Sequence, residues 1–480
     1  MTAPSQLAWM AGVWAVSAGA LLAGCAAVGP DYQRPEVVLP AAFPAPSPAD
    51  VVVSNPLGID TSTSTAIAAN WWLLYNDPGL NRLVDRALVV NADIVQAVAR
   101  IAQTSGAVRE AGSRLRGSGS ARGGSVGVGS SPSNGDVFIT LTASYELDFW
   151  GRLRRGDEAA NANYLATAAA GDTVRLTVIS LVCQGWFSML SLDAQAAALQ
   201  LTLKSREDAV RIIGLRLQGG TVARLDLETA ELQRADVALQ LREVQRQRAL
   251  AQSLLGLLTA DPGLLLPVVG GEATATLPAL PSLPAAGLPS SLLERRPDVQ
   301  RAEQLLVAAN AQIGVARAAM FPQITLNGTL GSESIDLIKV LEYPTRFWSI
   351  GVGLTLPIFD QSRLSARVDQ ASARQREAIS VYQEAVGTAF KDAADALSNL
   401  AAANESQAML VVRERTAQRA LVLAQARFDA GYAGYLELLE AQRTLTTAQL
   451  SSVRNQQTQL NASVDLIKAL GGGWAGLPTP

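Results

Sequence analysis

The sequence predicts a mainly α-helical fold that carries four short β-strands of the membrane-barrel type and is laid out as an internal two-fold repeat. Three observations carry this reading: two stretches recur at a constant spacing, each copy holds a long proline-free helical run, and segments of period two interrupt the helices. Arg216-Leu217-Gln218-Gly219-Gly220 with Leu225-Asp226-Leu227 matches Arg427-Phe428-Asp429-Ala430-Gly431 with Leu436-Glu437-Leu438. Arg152-Leu153 after Glu146-Leu147-Asp148-Phe149 matches Arg363-Leu364 after Pro357-Ile358-Phe359-Asp360. Both pairs lie 211 residues apart (216 to 427, 152 to 363), and a constant offset over so long a stretch marks a duplication.

The helical runs extend from Arg152 to Leu217 and from Arg363 to Phe428 with no proline inside either. Proline would remove a backbone hydrogen bond and clash with the preceding turn, so its absence lets both continue. At 1.5 Å per residue each extends roughly 100 Å, which no compact domain buries, so each must lie along similar helices. In the return helix after the second run, positions 436, 439, 443, 446, 450, 453, 457, 460, 464 and 467 hold Leu, Leu, Arg, Thr, Leu, Val, Gln, Leu, Val and Ile. This 3,4 spacing is the coiled-coil pattern, with Arg443 and Thr446 as polar lapses near one end. Helices over about 78–112 and 297–319 lead into the strands, so each copy reads helix, hairpin, long helix, turn, return helix.

The strands have the other period. Val137, Ile139, Leu141, Ala143, Tyr145 and Leu147 alternate with Phe138, Thr140, Thr142, Ser144, Glu146 and Asp148. Ile324, Leu326 and Leu330 alternate with Thr325, Asn327 and Thr329, and Trp348, Ile350, Val352, Leu354 and Leu356 with Ser349, Gly351, Gly353 and Thr355. About ten residues with one apolar and one polar face suit lipid outside and water inside, although each segment alone equally suits a half-buried soluble sheet. The first hairpin is less distinct, since Gly117 to Gly129 is glycine-rich with Val126 and Val128 as its apolar pegs. Four strands cannot close a barrel and open edges are not tolerated in lipid, so such strands must be pooled among several chains.

Glu146, Asp148 and Arg152 are read as the strand-to-helix junction rather than a catalytic cluster, with Asp148 accepting from free amides and Phe149 and Trp150 near a membrane interface. At the N-terminus, apolar residues from Leu7 to Leu22 end in Leu22-Ala23-Gly24-Cys25, which looks like a bacterial lipobox whose Cys25 is acylated and becomes the mature N-terminus. Residues 1–9 carry no Lys or Arg, a departure from the usual basic start. The expected organisation is a signal peptide over 1–24, an acylated arm over 25–70, first repeat over 71–257, connector over 258–290, second repeat over 291–470 and tail over 471–480. The connector is rich in Pro and Leu without periodicity, and Cys183 in its apolar helix reads as a small core residue.

Composition excludes other classes. Formal net charge is −3, so there is no basic excess for nucleic acid. No histidine is present, which removes the commonest metal ligand and general base together. No nucleotide-binding glycine loop ending in Gly-Lys-Ser/Thr and no nucleophile elbow occurs, so neither self-driven export nor a lipoprotein hydrolase fits. A lipid-anchored periplasmic coiled coil of structural or adaptor type is the main rival to a channel, and the four alternating segments argue against it.

Further residues carry a resemblance. They are Gly29-Pro30-Asp31-Tyr32 with Arg34-Pro35, Trp71-Trp72, Tyr145-Glu146-Leu147-Asp148-Phe149 with Gly151-Arg152, and Leu288-Pro289 with Leu292-Leu293. Then come Arg295-Arg296-Pro297-Asp298, Ala308-Ala309-Asn310, Phe321-Pro322 and Ala469-Leu470-Gly471-Gly472-Gly473-Trp474. In this order they resemble the TolC-like outer-membrane efflux proteins, in the lipoprotein branch that includes OprM and NodT. The resemblance implies a homotrimer with a pooled twelve-stranded barrel, an equatorial belt and a long periplasmic coiled-coil tunnel. It also implies a periplasmic adaptor, an inner-membrane pump of the resistance-nodulation-division type, a place in outer-membrane lipid and no cofactor or metal. Gly219, Gly220 and Gly431 become adaptor-docking tips, beyond their reading as helix caps. Leu436, Glu437, Glu440 and Arg443 become the periplasmic gate, beyond their reading as a solvated helix face. Glu440 stands where the family's usual gate residue is aspartate, and no proline near Arg114-Leu115 matches Pro322.

Overall fold

The computed structural model describes residues 27–37, 40, 59–60, 67–116, 118–123, 137–267, 277–284, 295–334, 343 and 346–473. Cys25, the leader, Leu288-Pro289, Leu292-Leu293 and Trp474 lie outside them. A short strand β1 (Ile59–Asp60) and a 3₁₀ turn (Trp71–Tyr75) precede α1 (Pro78–Val90) and α2 (Ala92–Arg116). The strands β2 (Ser118–Gly123) and β3 (Val137–Leu147) then lead into α3 (Arg152–Gln218) and its return helix α4 (Arg224–Leu258). After β4 (Leu283–Pro284) come α5 (Pro297–Ala318), β5 (Gln323–Ser334), β6 (Arg346–Thr355), α6 (Gln361–Asp429) and α7 (Tyr435–Ala469).

The long helices have 67 and 69 residues and their return helices 35 each. In the tip half, α4 packs on α3, α3 on α7 and α7 on α6, giving the lateral order α4, α3, α7, α6. In the other half, α3 lies against α2 and α5, and α5 also packs on α6. The expected helix over 78–112 is two helices. At Asn91 the backbone turns extended, its Oδ1 accepts from the amides of Asp93 and Ile94 at 3.0 and 3.3 Å, and its Nδ2 donates to the Leu258 carbonyl. An asparagine cap thus ends one helix and starts the next.

The return helix α7 has two seams where one was expected. Leu438, Leu445, Ala448 and Ser452 are its most buried tip-side positions besides Leu439, and Leu445 and Ala448 pack on Ala417 and Leu421 of α6. The expected positions 446 and 450 instead face α3, where Thr446 meets Thr202 at 3.3 Å and Leu450 joins Leu192, Ala196 and Leu199. A helix lying between two others needs an apolar stripe for each, whereas a lone dimeric coil needs one. Leu436 and Arg443 are exposed and belong to neither.

The principal core is a belt where α1, α3, α6 and α7 meet. Trp71 and Trp72 pack edge to face at 6.3 Å, Tyr75 lies 4.9 Å from Phe187, and Tyr75 and Ser463 share a 2.6 Å hydrogen bond. Cys183 is fully buried in this cluster. The neighbouring β1–β4 pair is parallel and two residues long, and it joins the expected arm to the expected connector.

The sheet order is β2-β3-β5-β6, antiparallel throughout, which places a short strand in the glycine-rich stretch. Register sorts the faces. Leu141, Leu330 and Trp348 form one cross-strand row, and Tyr145, Leu326 and Val352 another; all six are exposed. The intervening rows are Thr142, Thr329 and Ser349, then Ser144, Asn327 and Gly351, with Ser144 donating to Asn327 at 2.8 Å. At the exit of β3, Asp148 accepts from the backbone amides of Leu153 and Arg154 at 3.1 and 2.9 Å, and Arg152 pairs with Glu146. The Trp150 indole donates to the Pro322 carbonyl at 2.8 Å and stacks on Phe321, so the two hairpins are joined at their base.

Two polar clamps fasten the neck. Arg34 grips Glu303 of α5 through Nε at 2.6 Å and Nη2 at 2.8 Å, and the Tyr32 hydroxyl donates to the same carboxylate at 3.1 Å. Gly29, at φ 116°, lets the arm cross within contact of Gly314, where any Cβ would collide with backbone. Arg296 is buried and donates to Asp298, to Asp392 of α6, and to the carbonyls of Ala389 and Ala469. Burial alone would raise the Asp298 pKa, but the Arg296 hydrogen bonds and charge outweigh it and hold the carboxyl below its usual value.

Arg296→Leu should therefore lower stability by roughly 2 kcal/mol, less than for a fully dry pair because the aspartates stay partly hydrated. A carboxylate with a depressed folded pKa contributes fully above its unfolded pKa near 4, and the contribution fades as pH falls through the folded value. Thermal unfolding followed by circular dichroism should show a wide gap between variant and wild type at pH 7 that narrows as pH falls below the unfolded carboxylate pKa, about 4. An equal gap at both pH values would remove the electrostatic account.

Candidate gate and hairpin tips

Both long helices end in the same six-residue closure. The Gly220 amide donates to the Leu217 carbonyl at 3.0 Å and the Thr221 amide to Arg216 at 3.0 Å. In the second tip, Gly431 donates to Phe428 at 3.1 Å and Tyr432 to Arg427 at 2.9 Å. These are Schellman caps, whose turn residue must be left-handed, and Gly220 and Gly431 supply it at φ 69° and 77°. Gly219 is the C-cap residue of α3, with φ −79° like that of Ala430 at the equivalent place, so the left-handed turn falls to Gly220 alone. The cap at Gly219 therefore makes no demand that alanine could not meet.

Past the second tip, α7 starts at Tyr435 with Glu437 in its first turn. Leu436, Glu437, Glu440 and Arg443 are all exposed, and Leu436, Glu440 and Arg443 share a face by helical spacing. Arg443 donates from Nε and Nη2 to both oxygens of Glu440 at 3.0 Å. These bonds hold the Glu440 carboxyl below its ordinary pKa within one chain. Glu437 pairs outside this face, with Arg427 at 3.3 Å.

The two tips also touch each other, which the sequence reading missed. Arg216 lies over the Phe428 ring at 5.0 Å, and Phe428 packs on Tyr435 at 6.1 Å. A signal was present, because Arg216 and Arg427 occupy matching places in the repeat. What it lacked was the lateral order that sets α3 beside α7. Farther along, Arg206 of α3 donates to Gln442. Among the described residues, no group of three or more His, Cys, Asp or Glu side chains is placed to hold a metal ion.

The sequence profile described as outer membrane efflux protein matches residues 83–260 and again 288–472. The chain is 33% identical over 466 residues to the cation efflux system protein CusC of Escherichia coli, covering 94% of this chain and 96% of that one. It is 33% identical over 482 residues to the toluene efflux pump outer membrane protein TtgF of Pseudomonas putida, covering 94% and 95%. Among solved structures, the outer-membrane channel OprN superposes with a TM-score of 0.83 at 27% identity, over 93% of this chain and 99% of that one.

Gly220→Ala and Gly431→Ala should each destabilise their tip by about 1 kcal/mol through the left-handed backbone alone, since open space surrounds both positions. Gly219→Ala should be neutral or slightly stabilising. Hydrogen exchange at the Thr221 and Tyr432 amides measures this; equal protection losses in all three variants would contradict the cap assignment.

Proposed function

Because this chain belongs to the outer membrane efflux protein family, we propose that three copies pool their strands into one twelve-stranded barrel above a common helical tunnel. The protein is an outer-membrane channel for efflux, with its helical part in the periplasm. In the proposed trimer it is a passive, non-enzymatic duct, and an inner-membrane pump of the resistance-nodulation-division type supplies the energy. Two successive matches to one family profile support an internal two-fold repeat.

The observation that carries the trimer is unpaired surface of two kinds. The sheet ends at β2 and β6 with no further strand paired to either among the described residues. Open edges are untenable in lipid, so they require strands from other chains. Outside the sheet, α4 exposes Leu225, Leu232 and Leu239 at successive heptad positions, and α6 exposes Met409, Val412 and Leu423. These flanks lie at opposite ends of the lateral helix order, where one chain's α4 can meet the next chain's α6.

In this reading the Gly219-Gly220 and Gly431 tips face a periplasmic adaptor. Leu436 and Glu440 from three chains converge on the axis, with Glu437 and Arg443 flanking them. Three close carboxylates raise one another's pKa, opposing the Arg443 bond that lowers it in one chain. The ring would repel anions and hold cations. Cys25 is the proposed acylation site. Cargo selection is assigned to the pump.

Purified protein in detergent should have the mass of three chains and conduct in a planar bilayer. Leu436→Ala with Glu440→Ala should raise conductance and weaken block by multivalent cations, with assembly preserved because both seams of α7 are untouched. A folded monomer would sink the pooled barrel, and wild-type conductance and block in an assembled variant would move the gate elsewhere. For the anchor, Cys25→Ser should abolish labelling by a fatty-acid probe in cells; persistent labelling would place the acyl group on another residue.

A further inference from the structure

A buried cation, Arg206, has an amide oxygen as its partner among the described residues. Arg206 lies on α3, 13 residues before Gly219 and so roughly 20 Å from the tip. It is 2% exposed, it bonds to the amide oxygen of Gln442, and its Nε is buried with no hydrogen-bond partner among the described residues. No carboxylate lies within ion-pair distance of it among the described residues. A buried guanidinium is costly unless an anion answers it, and a lone amide oxygen is a weak answer.

Arg206 borders a groove of about 520 Å³ between α3 and α7. Leu201, Leu445 and Val453 give this groove an apolar wall, and Thr202 and Gln449 add polar groups. The single carboxylate in the lining is Glu414 of α6. A mostly apolar surface with a few polar groups is the usual make-up of a small-molecule site, and this half-open groove has room for a molecule of about ten to fifteen heavy atoms.

We propose that this groove binds an amphiphilic anion, its carboxylate or sulfonate head on Arg206 and its apolar body against Leu201, Leu445 and Val453. At 100° per residue, Gln442, Leu445 and Gln449 lie on the flank of α7 roughly opposite Leu436, Glu440 and Arg443. The bound anion is therefore separated from the gate carboxylates by the width of the helix. Glu414 disfavours a second negative charge in the ligand, so a monoanion fits better than a dianion.

The test is calorimetric titration of the full chain in nonionic detergent with naphthalene-1-sulfonate, using naphthalene-1-methanol as the neutral comparator. One site per chain is expected, with the sulfonate bound at least tenfold more tightly than the alcohol. Arg206→Met should erase that preference, and Glu414→Gln, which leaves Arg206 in place, should strengthen sulfonate binding several-fold. Equal binding of the two probes by the wild type, or no binding, overturns the proposal. So does a retained preference in an Arg206→Met variant with the wild-type circular dichroism spectrum. Should that variant not fold, unchanged sulfonate affinity in Glu414→Gln overturns it alone.

Discussion

A helix of 67 or 69 residues cannot bury its flanks within a compact domain, and the rest of this molecule answers that constraint. Most helical stability comes from side-chain packing rather than backbone propensity, so a rod roughly 100 Å long needs neighbours along its whole length. The chain supplies them in two sets, α2 and α5 beside the half near the strands, α4 and α7 beside the half near the tips. What it cannot supply is a neighbour for the outer flanks of α4 and α6, and those flanks retain exposed leucines and valines. The same shortage recurs in the sheet, where β2 and β6 stay unpaired on one side. Helices and strands thus point to the same solution through different chemistry, side-chain burial in one case and backbone hydrogen bonding in the other.

The halves meet at a belt whose polar contacts join elements far apart in sequence. Arg296 ties the start of α5 to α6 and to the end of α7, while Tyr75 reaches Ser463. Asp77 shows how much one side chain can do there: one oxygen caps α1 through the amides of Gly79 and Leu80, and the other accepts from the Trp186 indole at 2.7 Å. Such groups can be buried because each polar atom finds a partner, which makes register between the long helices specific as well as stable. The Trp71 and Trp72 indole nitrogens are exceptions, buried without partners among the described residues.

Much of this was legible in the sequence. Proline-free runs marked α3 and α6 to within a few residues, and alternation marked β3, β5 and β6, because both patterns are local and sustained. The break at Asn91 was not read, although Asn-Ala-Asp is a cap signature, because apolar periodicity runs on across it. β2 was indistinct because glycine and serine carry no amphipathic pattern, and its pairing depends on β3 alone. The second seam of α7 escaped notice because it consists of Ala and Ser as well as Leu, and small residues signal packing only once a neighbour is known. At the tips, sequence identified the turns but not which glycine needed its freedom, since Gly219 and Gly220 differ only in φ. The Arg216–Phe428 contact required the lateral order of helices, which no local pattern contains.

The arm's first described residues have a geometric consequence of their own. The Val28 amide donates to the Trp150 carbonyl at 2.9 Å, so the arm is pinned at the base of the strands. Ala27 is only two peptide links from Cys25, at most about 7 Å of extended chain. An acyl group on Cys25 could therefore enter a bilayer only within a narrow band around the stacked Trp150 and Phe321 side chains. The lipid would act as a plumb line for the body, setting insertion depth where aromatic rings already favour the boundary between hydrocarbon and water. A longer tether would hold the protein at the membrane equally well yet leave its height unspecified, whereas the proposed acyl group on Cys25 would make attachment and vertical alignment the same event.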